Sequence, residues 1–180
     1  MGIFQRIYRS GYYELTLLFV SLAFAFSIVN KPFKKYDWYK ICCGIAFVAY
    51  IFVILYATVF HRESLLKNRG LSLIPFASYK IAFNGNEEGF RTCFMNALLF
   101  YPFGVAFYGF NNDKKIKFRY FVLFAFCFSF IIEIMQYVFC LGNSEVDDLI
   151  HNTLGAVIGY FVCYAFSKLI DLVVKEIKGV

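Results

Sequence analysis

Very little in this chain can serve as a linker. It has three prolines in 180 residues, no serine-rich or low-complexity tract and no repeat, so one integral domain is the reading. Charge is scarce too: Asp, Glu, Lys and Arg make up 17% of the residues, against 61% hydrophobic ones. A soluble domain is about 45–50% apolar, so composition alone excludes an ordinary soluble enzyme and points to a membrane protein. Six cysteines are present, Cys42, Cys43, Cys93, Cys127, Cys140 and Cys163. None stands in a CxxC pair or at metal-ligand spacing, so the cysteines point to no metal. No cofactor is expected, and the one alternative is a divalent cation on the oxygens of Glu133, Glu145, Asp147 and Asp148. Buried, inert thiols are their plain reading, and Cys93 with Cys140 is the one pairing that a shared membrane face would allow.

What the chain has in excess is aromatic bulk, 25 Phe and 14 Tyr, suited to facing lipid and anchoring at its interface. The net charge of +6 would suit nucleic acid, but the Lys and Arg residues cluster at the ends of hydrophobic runs. There they set topology and touch anionic lipid. The expected partner is the bilayer, not nucleic acid.

Crossing a bilayer takes a run of about 20 apolar residues. Five segments qualify: Tyr12–Val29, Ile41–Phe60, Gly89–Phe110, Phe118–Leu141 and Leu149–Ile170. The expected fold is therefore an all-α, multi-pass protein of the cell membrane with about five transmembrane helices. Lys31, Pro32 and Lys34, not a small-residue cleavage site, follow the first run, so it reads as a retained span. The loop from His61 to Glu88 holds LSLIPFASYKIAF, which is too short to cross. It is expected to be re-entrant or interfacial, placed to roof a site. Eleven Lys and Arg residues fall on one side of these spans and seven on the other. The richer side is expected in the cytoplasm, putting the N-terminus outside and the C-terminus inside.

The polar residues inside the last two spans carry the functional signal. A charged side chain at the centre of a bilayer costs about 2.5–3.5 kcal/mol by insertion scales, so a carboxylate there needs a use. Ser129, Glu133 and Gln136 share one helix face at i, i+4 and i+7. Asp148, His151, Asn152, Gly155 and Gly159 share another, following the acidic turn of Glu145, Asp147 and Asp148. Arg62, Arg91 and Asn96 fall at the same depth. Each has a structural alternative: Glu133 as a paired packing carboxylate, Gln136, Asn96 and Asn152 as interhelical hydrogen bonders, and Asp147 or Asp148 as a helix cap. Gly155 and Gly159 form GxxxG and are expected to pack helices closely, while Pro102 and Gly104 are expected to kink the third span.

Arranged in order, several pieces resemble the VanZ-like family of bacterial membrane proteins. They are Arg62, LIPF at Leu73–Phe76, NALLFYPFG at Asn96–Gly104, SFIIEIMQ at Ser129–Gln136 and EVDDLIHNTLGAVIG at Glu145–Gly159. The resemblance covers Ile41–Tyr160, so residues 1–40 read as an extra span with its basic loop and residues 41–180 as the VanZ-like membrane domain. Where the family usually carries an Arg before the acidic turn, Gly142 or Asn143 stands here; a cationic contact would have to come from Arg62 or Arg91. The family is linked to low-level resistance to the lipoglycopeptide teicoplanin, without an established biochemical activity.

Two readings stay open. In one, Arg62, Arg91, Asn96, Glu133, Gln136, Asp147, Asp148 and Asn152 line an outer-leaflet site that binds an amphiphile, either a lipid-linked envelope precursor or a lipoglycopeptide. In the other, the site is an enzyme's, with Glu133 or Asp148 as general acid or base. The absence of a nucleophile–base pair counts against the second.

Overall fold

The computed structural model describes residues 37–62, 70–83, 87–111 and 115–177, with backbone only at 81–83 and 87–91. The first predicted span, Tyr12–Val29, lies outside the described residues. Helix α1 (Asp37–Leu55) runs into a π-helical turn at Tyr56–Phe60. A two-residue strand β1 (Leu71–Ser72) and the short helix α2 (Ala77–Phe83) follow. Then come α3 (Glu87–Phe110), α4 (Phe118–Val138), a second two-residue strand β2 (Ser144–Glu145) and α5 (Val146–Ile177). Four stretches are long and apolar enough to cross a membrane: Asp37–Phe60, Thr92–Phe110, Phe118–Val138 and Val146–Ile177. The chain is an all-α membrane protein, and the only strands among the described residues are the paired stubs β1 and β2.

Lipid tails are as apolar as leucine, so contact between these helices depends on fit more than on escape from water. The largest helix–helix contact, α3 against α5, shows how the fit arises. A Cβ added to Gly155 would lie 2.0 Å from the Ala97 carbonyl oxygen, and one on Gly159 would lie 2.0 Å from that of Tyr101. Gly104 plays the reciprocal part, since its added Cβ would lie 1.9 Å from the Ala156 carbonyl oxygen. The GxxxG pair thus packs as its spacing predicts. Gly104 belongs to the same seam, and α3 continues as one helix through Pro102.

Beyond this seam the bundle fills with rings. Phe107 stacks on Phe121 with centroids 4.1 Å apart, and Phe47 on Phe103 at 4.8 Å. Phe100, Phe103, Phe121, Ala125 and Ala156 are buried in this core. Asn111 closes the α3–α4 end, accepting from the Ile116 N–H at 2.9 Å and donating to its carbonyl at 2.7 Å. None of the six cysteines is joined in a disulfide, Cys93 and Cys140 included.

The opposite end is irregular. The π-helical turn closes with the His61 N–H on the Tyr56 carbonyl at 2.9 Å. Helix α4 ends in a Schellman-type cap, with the Leu141 N–H on the Gln136 carbonyl at 2.8 Å and Cys140 in the left-handed region at φ 55°. That cap turns the chain sharply into the acidic segment. The apolar loop expected to be re-entrant or interfacial becomes β1, an exposed LIPF stretch and α2, which is too short to span.

Candidate polar site at one end of the bundle

Three helices bring polar side chains to this end. Helix α4 presents Ser129, Glu133 and Gln136 on its buried face, and α5 presents Asp148, His151 and Asn152. Asn152 donates to the Ser129 hydroxyl at 2.9 Å, joining the two faces. Gln136 donates to the Thr58 carbonyl at 3.1 Å. Thr58 lies in the last turn before Phe60, where a helix's carbonyls have no partner in its own ladder and can accept from another element. Thr58 meanwhile donates its hydroxyl to Ile54.

Glu133 reaches the acidic turn. Its Oε2 accepts the Glu145 backbone N–H at 3.0 Å, and the Ser144 hydroxyl bonds the same carboxylate. Asp148 lies beside it, within electrostatic reach of Glu133, Glu145 and Arg62. Asn96 on α3 faces Asp148 closely enough for the two side chains to interact. Yet four atoms here are buried without a hydrogen-bond partner among the described residues: Asn96 Nδ2, Gln136 Oε1, Asp148 Oδ1 and Asn152 Oδ1. Gln136, Asp148 and Asn152 are 2%, 8% and 4% exposed, so bulk water does not satisfy them. A buried polar atom left unpaired costs about 1–3 kcal/mol, and three of these four are acceptors.

Arg62 stands at the end of α1, close to the turn before β2. A Cβ added to Gly142 would lie 3.2 Å from Arg62 Nη1, and Gly142 itself has φ +144°. The guanidinium therefore rests where a side chain from the turn would project. It makes no direct ion pair among the described residues. The side chain of Arg91 lies outside the described residues.

Asp147 is turned elsewhere. Its carboxylate accepts the backbone N–H groups of Phe76 and Ser78, the latter at 2.8 Å. It thus caps α2, a helix 69 and 71 positions away along the chain, and not the helix that carries it. Phe76 sits at φ 63°, a conformation costing a non-glycine residue about 1–2 kcal/mol; the bond to Asp147 holds it there. Ser78 also donates to Glu145 at 3.2 Å. The parallel pairing of Leu71 with Ser144 and Ser72 with Glu145 completes the attachment.

His151 is likewise engaged. Its Nδ1 contacts the Asp147 carbonyl oxygen, which can only accept, so that nitrogen carries hydrogen. In the neutral ring Nε2 then accepts from the Tyr79 hydroxyl, 2.7 Å away. Burial first, then Cys93 and Asp147, raise the Tyr79 hydroxyl's pKa above its usual value, keeping it protonated as the donor. Both ring nitrogens of His151 are thus engaged in structural contacts.

The structure therefore brings Asn96, Glu133, Asp148 and Asn152 together, attaches Gln136 to Thr58, places Arg62 beside the Gly142 turn and ties Asp147 to Phe76 and Ser78 at the start of α2. Sequence reasoning missed Thr58, Ser78, Tyr79 and Ser144. Tyr79 and Ser78 lie in an apolar loop with no helical periodicity to flag them, and Thr58 acts through its backbone. Among the described residues, no three of His, Cys, Asp and Glu come together to hold a metal ion.

Beside Glu133 a lateral groove of about 170 Å³ opens between α4, the β1 loop and the start of α5. Its surface is almost wholly apolar: Leu71, Leu73, Phe130, Ile134, Tyr137, Val146 and Leu149 form its walls, and Glu133, Ser144 and Glu145 border it with hardly any polar surface exposed to it.

A profile of the VanZ/LLP1 family matches residues 15–167, beginning within the first predicted span. Protein VanZ of Enterococcus faecium is 31% identical over 114 residues, which cover 62% of this chain and 65% of that protein. The chain thus matches a little under two thirds of that relative's length. No solved structure matches it. With the profile spanning most of the described helices and both polar faces, the chain belongs to the VanZ/LLP1 family.

Proposed function

We propose that this protein is a membrane-embedded factor that binds an amphiphile at the polar end of its bundle and thereby lowers susceptibility to teicoplanin. The ligand is a lipoglycopeptide or a lipid-linked envelope precursor, and the polar end lies in the outer leaflet. One observation carries the reading: buried, unpartnered polar atoms of Asn96, Asp148 and Asn152 gather beside Glu133, itself on the wall of a groove lined by apolar side chains. A polar cluster with unmet bonding capacity next to an apolar groove offers both halves of an amphiphile a place. The charge count of the loops supports the outward orientation, and the family's link to teicoplanin supports the phenotype.

The test is Glu133→Gln, expressed in a teicoplanin-susceptible host. Gln keeps the shape and can still accept the Glu145 N–H, so the exchange removes charge with little change in packing. The expected outcome is loss of teicoplanin tolerance with folded protein still in the membrane. Unchanged tolerance in a normally expressed variant would refute the assignment. The closeness of Glu133 and Asp148 keeps acid–base chemistry as the second reading. Incubation with lipid-linked precursors followed by mass spectrometry separates the two, because only an enzyme yields a new product.

A further inference from the structure

We infer that the segment Leu71–Phe76 is an interfacial hook at the polar end of the bundle. It sets the side chains of Leu73, Ile74 and Phe76 among the acyl chains at the edge of the leaflet, and the β1–β2 pairing and Asp147 hold it at that depth. The occupant is the surrounding lipid, so the inference does not depend on the ligand proposed above.

Depth follows from what the segment touches. Leu71 pairs with Ser144 and Ser72 with Glu145, the two residues just before the apolar stretch Val146–Ile177. The segment is therefore fastened at the level where that span begins. Leu71 and Leu73 then share the walls of the lateral groove with Phe130, Ile134 and Tyr137 of α4. At about 1.5 Å per residue, Ile134 and Phe130 lie about 6 Å and 12 Å inside the end of α4 at Val138. Both are open residues of an apolar span, 45% and 50% exposed, and their surroundings are hydrocarbon. The segment thus stands beside the span's outer surface, not above it in water.

The side chains agree with that depth. Leu71, Leu73, Ile74 and Phe76 are 54%, 66%, 72% and 58% exposed, while Ser78 donates to Glu145 and Tyr79 bonds His151. Polar groups turn to the protein and large apolar ones turn out. Water disfavours such a patch, and the boundary between headgroups and acyl chains accepts it. The backbone agrees as well. Where water thins out, irregular backbone needs protein partners, and the unusual attachments of this segment supply them. The Gly70 carbonyl accepts from the Ser144 N–H at 2.9 Å, Pro75 has no N–H to satisfy, and Asp147 takes the N–H groups of Phe76 and Ser78.

The test uses the full chain in phosphatidylcholine liposomes that contain a trace of phosphatidylcholine with a diazirine midway along one acyl chain. After illumination and digestion, mass spectrometry should find lipid adducts on residues 71–76 at about a third or more of the yield on residues 130–134. Adducts on 130–134 with none on 71–76 overturn the inference. A second arm reports what lies there instead. In a Trp38→Phe background, which removes the only tryptophan, Ile74→Trp should be quenched by acyl-brominated phosphatidylcholine about half as strongly as Phe130→Trp or more, and hardly by aqueous iodide. Quenching by iodide alone would put the segment in water, and quenching by neither would put it under protein, a second copy included; either result overturns the inference. Asp147→Ala should lower the adduct yield on 71–76 about threefold or more, because it leaves two N–H groups without their acceptor. An unchanged yield in folded Asp147→Ala protein overturns the role given to Asp147. If that variant does not fold, Asp147→Asn, with one carbonyl acceptor left for two donors, replaces it and should show a smaller fall.

Discussion

The two ends of this bundle are built on opposite principles. Around the α3–α4 turn, rings stack on rings and Asn111 satisfies the turn that closes them. The other end holds a π-helical turn, a left-handed phenylalanine and four unpartnered polar atoms. Each aromatic pair contributes about 0.5–1.5 kcal/mol beyond simple burial, whereas each orphan polar atom costs about 1–3 kcal/mol. One end stabilises the fold and the other draws on that stability. Proteins accept such local losses at sites that do something else.

The contrast can be tested by breaking each part in turn. The largest effect should come from the seam that both ends share. Gly155→Val would drive a side chain into the Ala97 carbonyl, and we expect no monodisperse protein after detergent extraction, read by size-exclusion chromatography. Asp147→Ala should come next. Hydrogen bonds to a charged acceptor contribute about 1.5–3 kcal/mol each, and this change removes those to Phe76 and Ser78. We expect a loss of about 3 kcal/mol or more, with protease cutting newly appearing between residues 71 and 83. Phe107→Leu should cost less, about 1–2 kcal/mol, and leave teicoplanin tolerance proportional to the amount of folded protein.

The smallest stability change should be Gln136→Leu. It gives up one bond to Thr58, about 0.6 kcal/mol, and removes an orphan acceptor, so the melting temperature should hold or rise. Tolerance should nevertheless fall. A Gln136→Leu variant that melts well below the wild type would mean the polar end supports the fold as the aromatic end does. Orientation is checked separately: cysteine at Asn143 should react with an impermeant thiol reagent from outside, and cysteine at Lys115 should not.

Much of the framework was readable from run lengths. The four described spans begin and end close to where apolar runs do, although α5 continues to Ile177, past the predicted Ile170. The shared faces of Glu133 with Gln136 and of Asp148 with Asn152 followed from helical spacing, as did the packing of Gly155 and Gly159. Gly104, two residues after Pro102, was read only as part of a kink, because its contact with Ala156 across the seam is invisible in one dimension. Asp147 and His151 share that problem. A carboxylate at the start of a helix reads as that helix's cap, and only the fold shows it capping α2. The π-helical turn left no mark at all, since YATVF has no breaker in it.

The pairing of β1 with β2, reinforced by Asp147, has a consequence for access. It fastens the loop before α2 to the start of α5. Under the binding function proposed above, a ligand coming from the aqueous side would meet this latched segment, whereas the groove would admit one from the side. Occupancy would then follow a molecule's mole fraction among the lipids instead of its concentration in solution. A sparingly soluble compound could fill the site at aqueous levels too low to measure.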